Sequence, residues 1–270
     1  MGNPMYRQIA EDLRDQIDSG GLQPGQQLRT ELELRERYGA SRNTIRDAIK
    51  WLTNLGLVET KAGQGTFVVR KINPYVTTLT ADPREEDQED VVGPEEGDRY
   101  RDEVKAQSRT PESTEPQVES QKANPEVASL LRVDIGSQVI SRHQKRYIDG
   151  IPWSMQTSFY PRRFVSQGAE KLALAENITE GAVRYLADTL GLRQVGYSDW
   201  IKMRAPIPTE SDFFKLPSDG RVSMFEITRT AYDGNGQPIR VTMTVYPADR
   251  NQFTLNVGEV PISARATEGA

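Results

Sequence analysis

Apolar residues recur along the chain with two different periods, and the change of period divides it. Tyr6, Ile9, Ala10, Leu13 and Ile17 fall on one face of a helix that Ser19-Gly20-Gly21 ends. Leu22-Gln23-Pro24-Gly25 is a turn. Thr30 and Glu33 form a capping-box pattern, which opens a short helix carrying Leu34 and Tyr38 inward until Gly39 stops it. Ser41 caps a third helix whose apolar face is Ile45, Ala48, Ile49 and Leu52, and Gly56 ends it. Residues 57–60 and 66–69 then read as two short strands joined by Lys61-Ala62-Gly63-Gln64-Gly65.

Past residue 121 the strand period dominates. A short helix at 124–131 is followed by alternating segments at 137–148, 153–160, 197–205, 222–232 and 239–246. Asp149-Gly150 and Asp233-Gly234-Asn235-Gly236 have hairpin-turn chemistry. Residues 169–174, 181–190 and 210–216 read as helices. The fold class is α+β, with an antiparallel sheet and helices packed on it.

Between these regions the pattern fades. Residues 72–120 are poor in aromatic and β-branched residues and carry five prolines from Pro74 to Pro116. From Asp82 to Glu103 there are eleven acids against three bases. Such a stretch cannot bury enough apolar surface to offset its ordering entropy, so a disordered acidic linker is expected, with domains at 1–71 and 121–265. The linker also changes the meaning of the net charge of −5, because the remainder of the chain is then positive. With 270 residues, no cysteine and one histidine, the chain excludes disulfides, thiolate zinc sites and cysteine nucleophiles, and leaves little for histidine chemistry. Neither a metal nor a cofactor is called for. No signal peptide or apolar run long enough to span a bilayer is present, so a soluble cytoplasmic protein without a membrane partner is expected.

Three helices and a hairpin make a winged helix-turn-helix, with Gly39-Ala40-Ser41 as the short turn. Opposite the buried face of the third helix stand Arg42, Asn43, Arg46 and Lys50, with Thr44 near its start. A solvated helix shows a charged face too. The conjunction of caps, turn length and a glycine-bearing hairpin favours contact with phosphates and base edges of double-stranded DNA. Met5-Tyr6-Arg7-Gln8-Ile9-Ala10, Leu22-Gln23-Pro24-Gly25, Leu28-Arg29-Thr30-Glu31, Ser41-Arg42-Asn43-Thr44-Ile45-Arg46 and Gly63-Gln64-Gly65-Thr66-Phe67-Val68 resemble, in order and spacing, the GntR family of bacterial transcription regulators. That resemblance implies operator contacts from Arg42, Thr44 and Arg46, with Arg29 and Thr30 at the start of the preceding helix and Gly65 letting the wing enter the minor groove. The usual Pro-Ser-Glu is Arg29-Thr30-Glu31 here, and the usual wing arginine is Gln64, which leaves Lys61 as the wing's cation.

In the second domain, period two puts Arg142, Gln144 and Arg146 on one strand face, Gln156, Ser158 and Tyr160 on another, and Arg240, Thr242, Thr244 and Tyr246 on a third. Such stripes either meet water or line a wet cavity. His143 is expected to be structural or solvent-exposed, and Arg229 either anchors an ion pair with Glu226 or serves the site, with the structural role favoured. Arg146-Tyr147-Ile148-Asp149-Gly150-Ile151-Pro152, Thr157-Ser158-Phe159-Tyr160-Pro161, Glu226-Ile227-Thr228-Arg229 and Tyr246-Pro247-Ala248-Asp249-Arg250 resemble the UTRA effector domain of the HutC-like branch, a chorismate-lyase-like fold. The resemblance implies a small-molecule effector pocket and a homodimer. In its phosphosugar-binding members an arginine at the position of Arg146 and a tyrosine at that of Tyr246 line the site. Gln156 and Arg240 stand where some relatives have carboxylates, which points to an effector more anionic than an amino sugar. Arg142, Arg146, Gln156, Ser158, Arg240, Thr242 and Tyr246 are the expected effector set.

These readings combine into a ligand-responsive regulator, a repressor released from a palindromic operator and associated with the nucleoid when bound. The rival is an enzyme using the chorismate-lyase-like fold on a small organic acid; the DNA-reading head and the dearth of histidine weigh against it.

Overall fold

The second and third helices begin at the capping side chains of Thr30 and Ser41. The computed structural model describes residues 4–69, 75–79, 96–217, 220 and 222–255, and the chain divides into two units, 1–73 and 74–270. In the first, α1 (Met5–Asp18), α2 (Glu31–Tyr38) and α3 (Arg42–Asn54) enclose a core that includes Leu13, Leu34, Ile45 and Leu52. Thr30 and Glu33 complete the capping box, and the Ser41 hydroxyl accepts the Thr44 amide at 3.2 Å. Gly39 closes α2 at φ 60°, in the left-handed region that favours glycine. The Tyr38 hydroxyl donates to the Asp12 carboxylate and fastens α2 to α1. The wing is the hairpin of β1 (Val58–Lys61) and β2 (Gly65–Val68). Where the pattern predicts two strands, the backbone at residues 25–28 adds a third edge: the Leu28 amide donates to the Thr66 carbonyl at 2.7 Å, and the Val68 amide to the Gln26 carbonyl at 2.8 Å. That edge has no alternation for a sequence pattern to find.

The second unit opens with β3 (Tyr75–Thr78) and α4 (Glu96–Ala106), then β4 (Pro111–Ser113), β5 (Gln117–Lys122) and α5 (Pro125–Leu131). The long hairpin of β6 (Gln138–Ile148) and β7 (Ile151–Pro161) follows, then α6 (Arg163–Ser166) and α7 (Ala182–Leu190). After β8 (Gln194–Arg204) and α8 (Pro208–Phe214) come β9 (Met224–Asp233), β10 (Pro238–Pro247) and β11 (Asn251–Thr254). Among the described residues, seven strands form an antiparallel sheet in the order β4-β6-β7-β10-β9-β8, with β5 also on β6. β3 and β11 form a separate parallel pair. Asp149 and Gly150, at φ 52° and 71°, both adopt the left-handed conformation that a tight hairpin turn requires. No described helix is long and apolar enough to cross a membrane.

Register assigns the two sheet faces. Arg142 lies opposite Ser158, Ser158 opposite Thr242, and Thr242 opposite Arg229; Gln144, Gln156 and Thr244 form the next row. The alternate residues Val139 and Val241 meet Ala128 and Leu131 of α5 on the other face. Beyond the polar rows, Tyr160, Ala231 and Ile239 pack against Phe164, Leu172 and Leu186.

Three expectations are corrected. Residues 72–120 are not uniformly unstructured: β3, α4, β4 and the start of β5 fall there, and α4 buries Tyr100 and Val104. Averaged composition hides two apolar residues spaced four apart, which suffice to seat a helix. The densest part of the acidic run, residues 82–95, lies outside the described residues, as do residues 256–265 of the expected second domain. Arg229 does not pair with Glu226, since residues three apart on a strand point to opposite faces. It forks onto its cross-strand neighbour Asp199 at 2.8 and 2.7 Å, while Glu226 takes Lys202 and Arg204. Finally, the helix expected at 169–174 is a 3₁₀ turn at Glu170–Ala173.

The α5 cap is fully built, with the Val127 amide donating to Asn124 Oδ1 at 2.8 Å. Asn124→Ala should cost about 1 kcal/mol of stability, read as a lower denaturation midpoint in urea at unchanged slope.

Candidate functional site

Two surfaces gather the residues that sequence chemistry singles out. On the first unit, Ser41, Arg42, Asn43, Arg46 and Lys50 are exposed along α3, and Arg29 and Thr30 are exposed at the start of α2. Thr44 is half-buried, its hydroxyl 2.8 Å from that of Ser41. Glu31, which is not among the expected DNA contacts, organises this face. Its two carboxylate oxygens accept from Arg42 Nε and Arg46 Nε, each at 3.0 Å. Hydrogen bonds from Arg46 and then Arg42 hold its carboxyl below the ordinary glutamate range. The carboxylate thus takes one donor from each guanidinium and offsets part of the positive charge of this face.

In the wing, Lys61 pairs with Glu59 at 2.9 Å and lies 5.1 Å from the Phe67 ring. Gly65 has φ 123°, and an added Cβ would stand 2.3 Å from Gln27 Nε2, which itself donates to the Gln64 carbonyl at 2.9 Å. Glycine at 65 therefore has a local cause besides any approach to DNA: its φ lies where other side chains rarely go, whereas the Gln27 amide end could swing aside.

The second surface is the polar face of the large sheet, and most of its expected site residues are buried. Arg142, Arg146, Gln156, Ser158, Arg240 and Thr242 are all under a tenth exposed. Arg142, Arg146, Gln156, Ser158 and Arg240 line a single cavity of about 360 Å³, joined by Arg101 from α4 and by Asn177 and Thr179 from the loop before α7. Four arginines border it and no aspartate or glutamate does, among the described residues. Arg142 is committed to structure: its guanidinium donates to the carbonyls of Lys171, Leu172, Leu174 and Glu176 at 2.6–3.1 Å. It thereby shapes the 3₁₀ turn and the loop that carries Asn177 and Thr179. Arg240 Nη2 reaches Gln194 Oε1 at 3.4 Å. Gln156 Nε2 donates to Ser158 Oγ at 3.3 Å, and its buried Oε1 accepts no hydrogen bond among the described residues.

Two expected residues stand apart from this cavity. Thr242 is fully buried, 3.1 Å from the Ser158 hydroxyl, and is not part of the lining. Tyr246 borders a second, smaller cavity of about 60 Å³ with Tyr75, Tyr100, Glu103 and Trp153; Arg146 is common to both. Burial holds the Tyr75 and Tyr100 phenols above their ordinary range, so both remain hydrogen-bond donors. His143 is half-buried with Nδ1 2.9 Å from the Thr157 hydroxyl, and burial followed by Lys145 lowers its pKa. Arg101 was missed because it lies in the acidic run; the Tyr100–Val104 spacing was the available signal.

A winged head and a domain with a basic, buried cavity define a DNA-binding regulator that carries an effector domain. Residues 5–68 match the family model for bacterial regulatory proteins of the gntR family, and residues 106–252 match the UTRA domain. The chain belongs to the gntR family of regulators that carry a UTRA domain. It is 26% identical over 251 residues to the HTH-type transcriptional repressor NagR of Bacillus subtilis, covering 93% of each chain. Over 79 residues it is 40% identical to the mannosyl-D-glycerate transport/metabolism system repressor MngR of Escherichia coli, covering 29% of this chain and 33% of that one. The crystal structure of PhnF from Mycobacterium smegmatis shares the fold, with TM-score 0.54 and 23% identity over 93% of this chain and all of that one.

Glu31→Gln removes the carboxylate that occupies Arg42 and Arg46. Affinity for a random-sequence duplex should rise about two- to tenfold, measured by fluorescence anisotropy at fixed salt. A carboxylate with a lowered pKa keeps its bridge above the ordinary glutamate range and loses it as pH falls through the lowered value. The difference between wild type and variant should therefore be full at pH 7 and shrink in acid.

Proposed function

We propose that this protein is a repressor of the HutC-like kind that binds a two-fold-symmetric operator as a homodimer and is released by a small anion carrying hydroxyl groups. The observation that carries the reading is the cavity bordered, among the described residues, by four arginines and no carboxylate. Guanidiniums gathered around one partly enclosed space favour an anion there, and their planar donor forks suit carboxylate or phosphate oxygens. The buried Gln156 Oε1 supplies an acceptor for a ligand hydroxyl. Arg146, Arg240, Gln156 and Ser158 are the effector contacts in this reading; Arg142 acts by holding the loop. The protein binds its effector without turning it over.

On DNA, Arg42, Asn43, Arg46 and Lys50 reach bases and phosphates, Ser41, Thr44, Arg29 and Thr30 contact the backbone, and Lys61, Gln64 and Gly65 approach the minor groove. The first unit has only two more basic than acidic residues over 1–71, so two heads on two half-sites serve better than one. The edge strand β8 supports self-association: it pairs only with β9 among the described residues and leaves Trp200, Ile201 and Met203 exposed. Its place is the cytoplasm, on the nucleoid when operator-bound.

The test begins by footprinting the protein on DNA upstream of its own gene to define the operator. Arg42→Ala and Arg46→Ala should each weaken operator binding by roughly 1–3 kcal/mol, with little change in stability. Arg146→Ala and Arg240→Ala should leave operator binding intact and abolish release by whichever sugar phosphate or small carboxylate dissociates the wild-type complex. Release of both variants at the wild-type effector midpoint would remove the cavity from the mechanism.

A further inference from the structure

The first turn of α2 carries two glutamates with different duties. Glu33 closes the cap: its Oε2 accepts from the Thr30 amide at 2.7 Å and from the Thr30 hydroxyl at 2.8 Å. Glu31 is left to reach another helix. Its two oxygens each take one Nε–H from α3, Arg46 on Oε1 and Arg42 on Oε2. Among the described residues it is the only acid paired with either arginine. Both arginines are otherwise open to solvent, with side chains 62% and 54% exposed.

A bond through Nε decides which edge of a guanidinium remains. The side-on edge is engaged, and the end-on pair of Nη groups keeps its donors. That end-on pair matches the O6 and N7 acceptors of guanine in the major groove. A long exposed arginine without such a hold samples many rotamers and meets phosphates as readily as bases. Here part of the rotamer freedom is lost before DNA arrives, so less remains to be lost on reading a base. The same carboxylate repels phosphate oxygens and cancels one of the two charges that would otherwise release counterions. Both effects run in one direction: sequence-independent attraction falls while base reading sharpens. Bracing α2 against α3 does not explain the arrangement, because Leu34, Ile45 and Leu52 already join the two helices in one core.

We infer that Glu31 is the specificity residue of the DNA-reading head: it positions Arg42 and Arg46 for guanine edges and away from phosphates, lowering affinity and raising sequence discrimination. The inference rests on the reading of α3 as the recognition helix and adds to it a residue that touches no base. Glu31 is a positioning residue; Arg42 and Arg46 make the contacts. Four residues of helix rise about 6 Å, so the two guanines should lie within about two base-pair steps of each other.

The experiment selects duplexes from a randomised pool with the full chain at fixed salt and sequences the bound fraction. Wild type, Glu31→Gln, Arg42→Ala, Arg46→Ala and the double variants with Glu31→Gln are compared. The wild type should enrich guanine at two positions of each half-site, one lost in Arg42→Ala and the other in Arg46→Ala. Glu31→Gln should bind the unselected pool more tightly, as above, yet its preference for guanine at both positions should fall about three- to tenfold. In Arg42→Ala, adding Glu31→Gln should weaken only the guanine position that remains. The thermal midpoint of Glu31→Gln should match the wild type. Wild-type guanine preference in Glu31→Gln overturns the inference and leaves the carboxylate as a charge offset alone. Preference lost evenly over every position of the motif also overturns it, because that pattern marks a damaged head. A wild-type motif in both Arg42→Ala and Arg46→Ala, or no motif enriched by the wild type, overturns the reading of α3 and this inference with it.

Discussion

Arg142, Arg146 and Arg240 stand on one face of an antiparallel sheet, each less than a tenth exposed. A buried guanidinium must find acceptors, and much of the second unit is arranged around that requirement. Arg142 finds four in the backbone of residues 171–176, which ties the 3₁₀ turn at 170–173 and the loop after it to the sheet. Arg146 lies under the Tyr100 ring and so helps seat α4. The opposite face needs no such provision: Val139 and Val241 simply meet α5. One sheet thus has an ordinary apolar side and a side whose polar groups are satisfied by helices, loop and cavity together.

The DNA-reading unit was legible because its signals are local. Capping residues, short turns and helical spacing each act within a few positions, and α2 and α3 start where Thr30 and Ser41 stand. The long strands were legible for the same reason, since alternation is a property of the strand itself. What escaped was tertiary. β3 is four residues long and exists through parallel pairing with β11, more than 170 positions away. Glu31 sits inside a helix start, where a glutamate is expected for the macrodipole alone, and its reach to Arg42 and Arg46 depends on how α2 crosses α3.

The candidate effector set shows the same division. Period two placed Arg142, Arg146, Gln156, Ser158 and Arg240 on common faces, and strand register brought those faces together. Period two could not distinguish residues that border open space from those beneath it or beyond it. Thr242 is sealed under Ser158, and Tyr246 lies far enough along β10 to reach the smaller cavity and the Phe253 ring. Arg101 came from a segment whose overall composition argued for no structure at all.

The parallel pairing of β3 with β11 bears on mechanics. In the chain, β3 follows directly on the residues that lead from the DNA-reading unit, and β11 ends the described part of the second unit. Four residues of each strand stand in register, and hydrogen bonds join the Tyr75 amide to the Arg250 carbonyl and the Leu79 amide to the Thr254 carbonyl at 2.9 and 2.8 Å. Tension applied to the N-terminal end of β3 along the strand axis loads these bonds in shear, all together, instead of peeling them one after another. The attachment point is thus a clamp under such a pull, whereas a force across the strands would open the same bonds one after another.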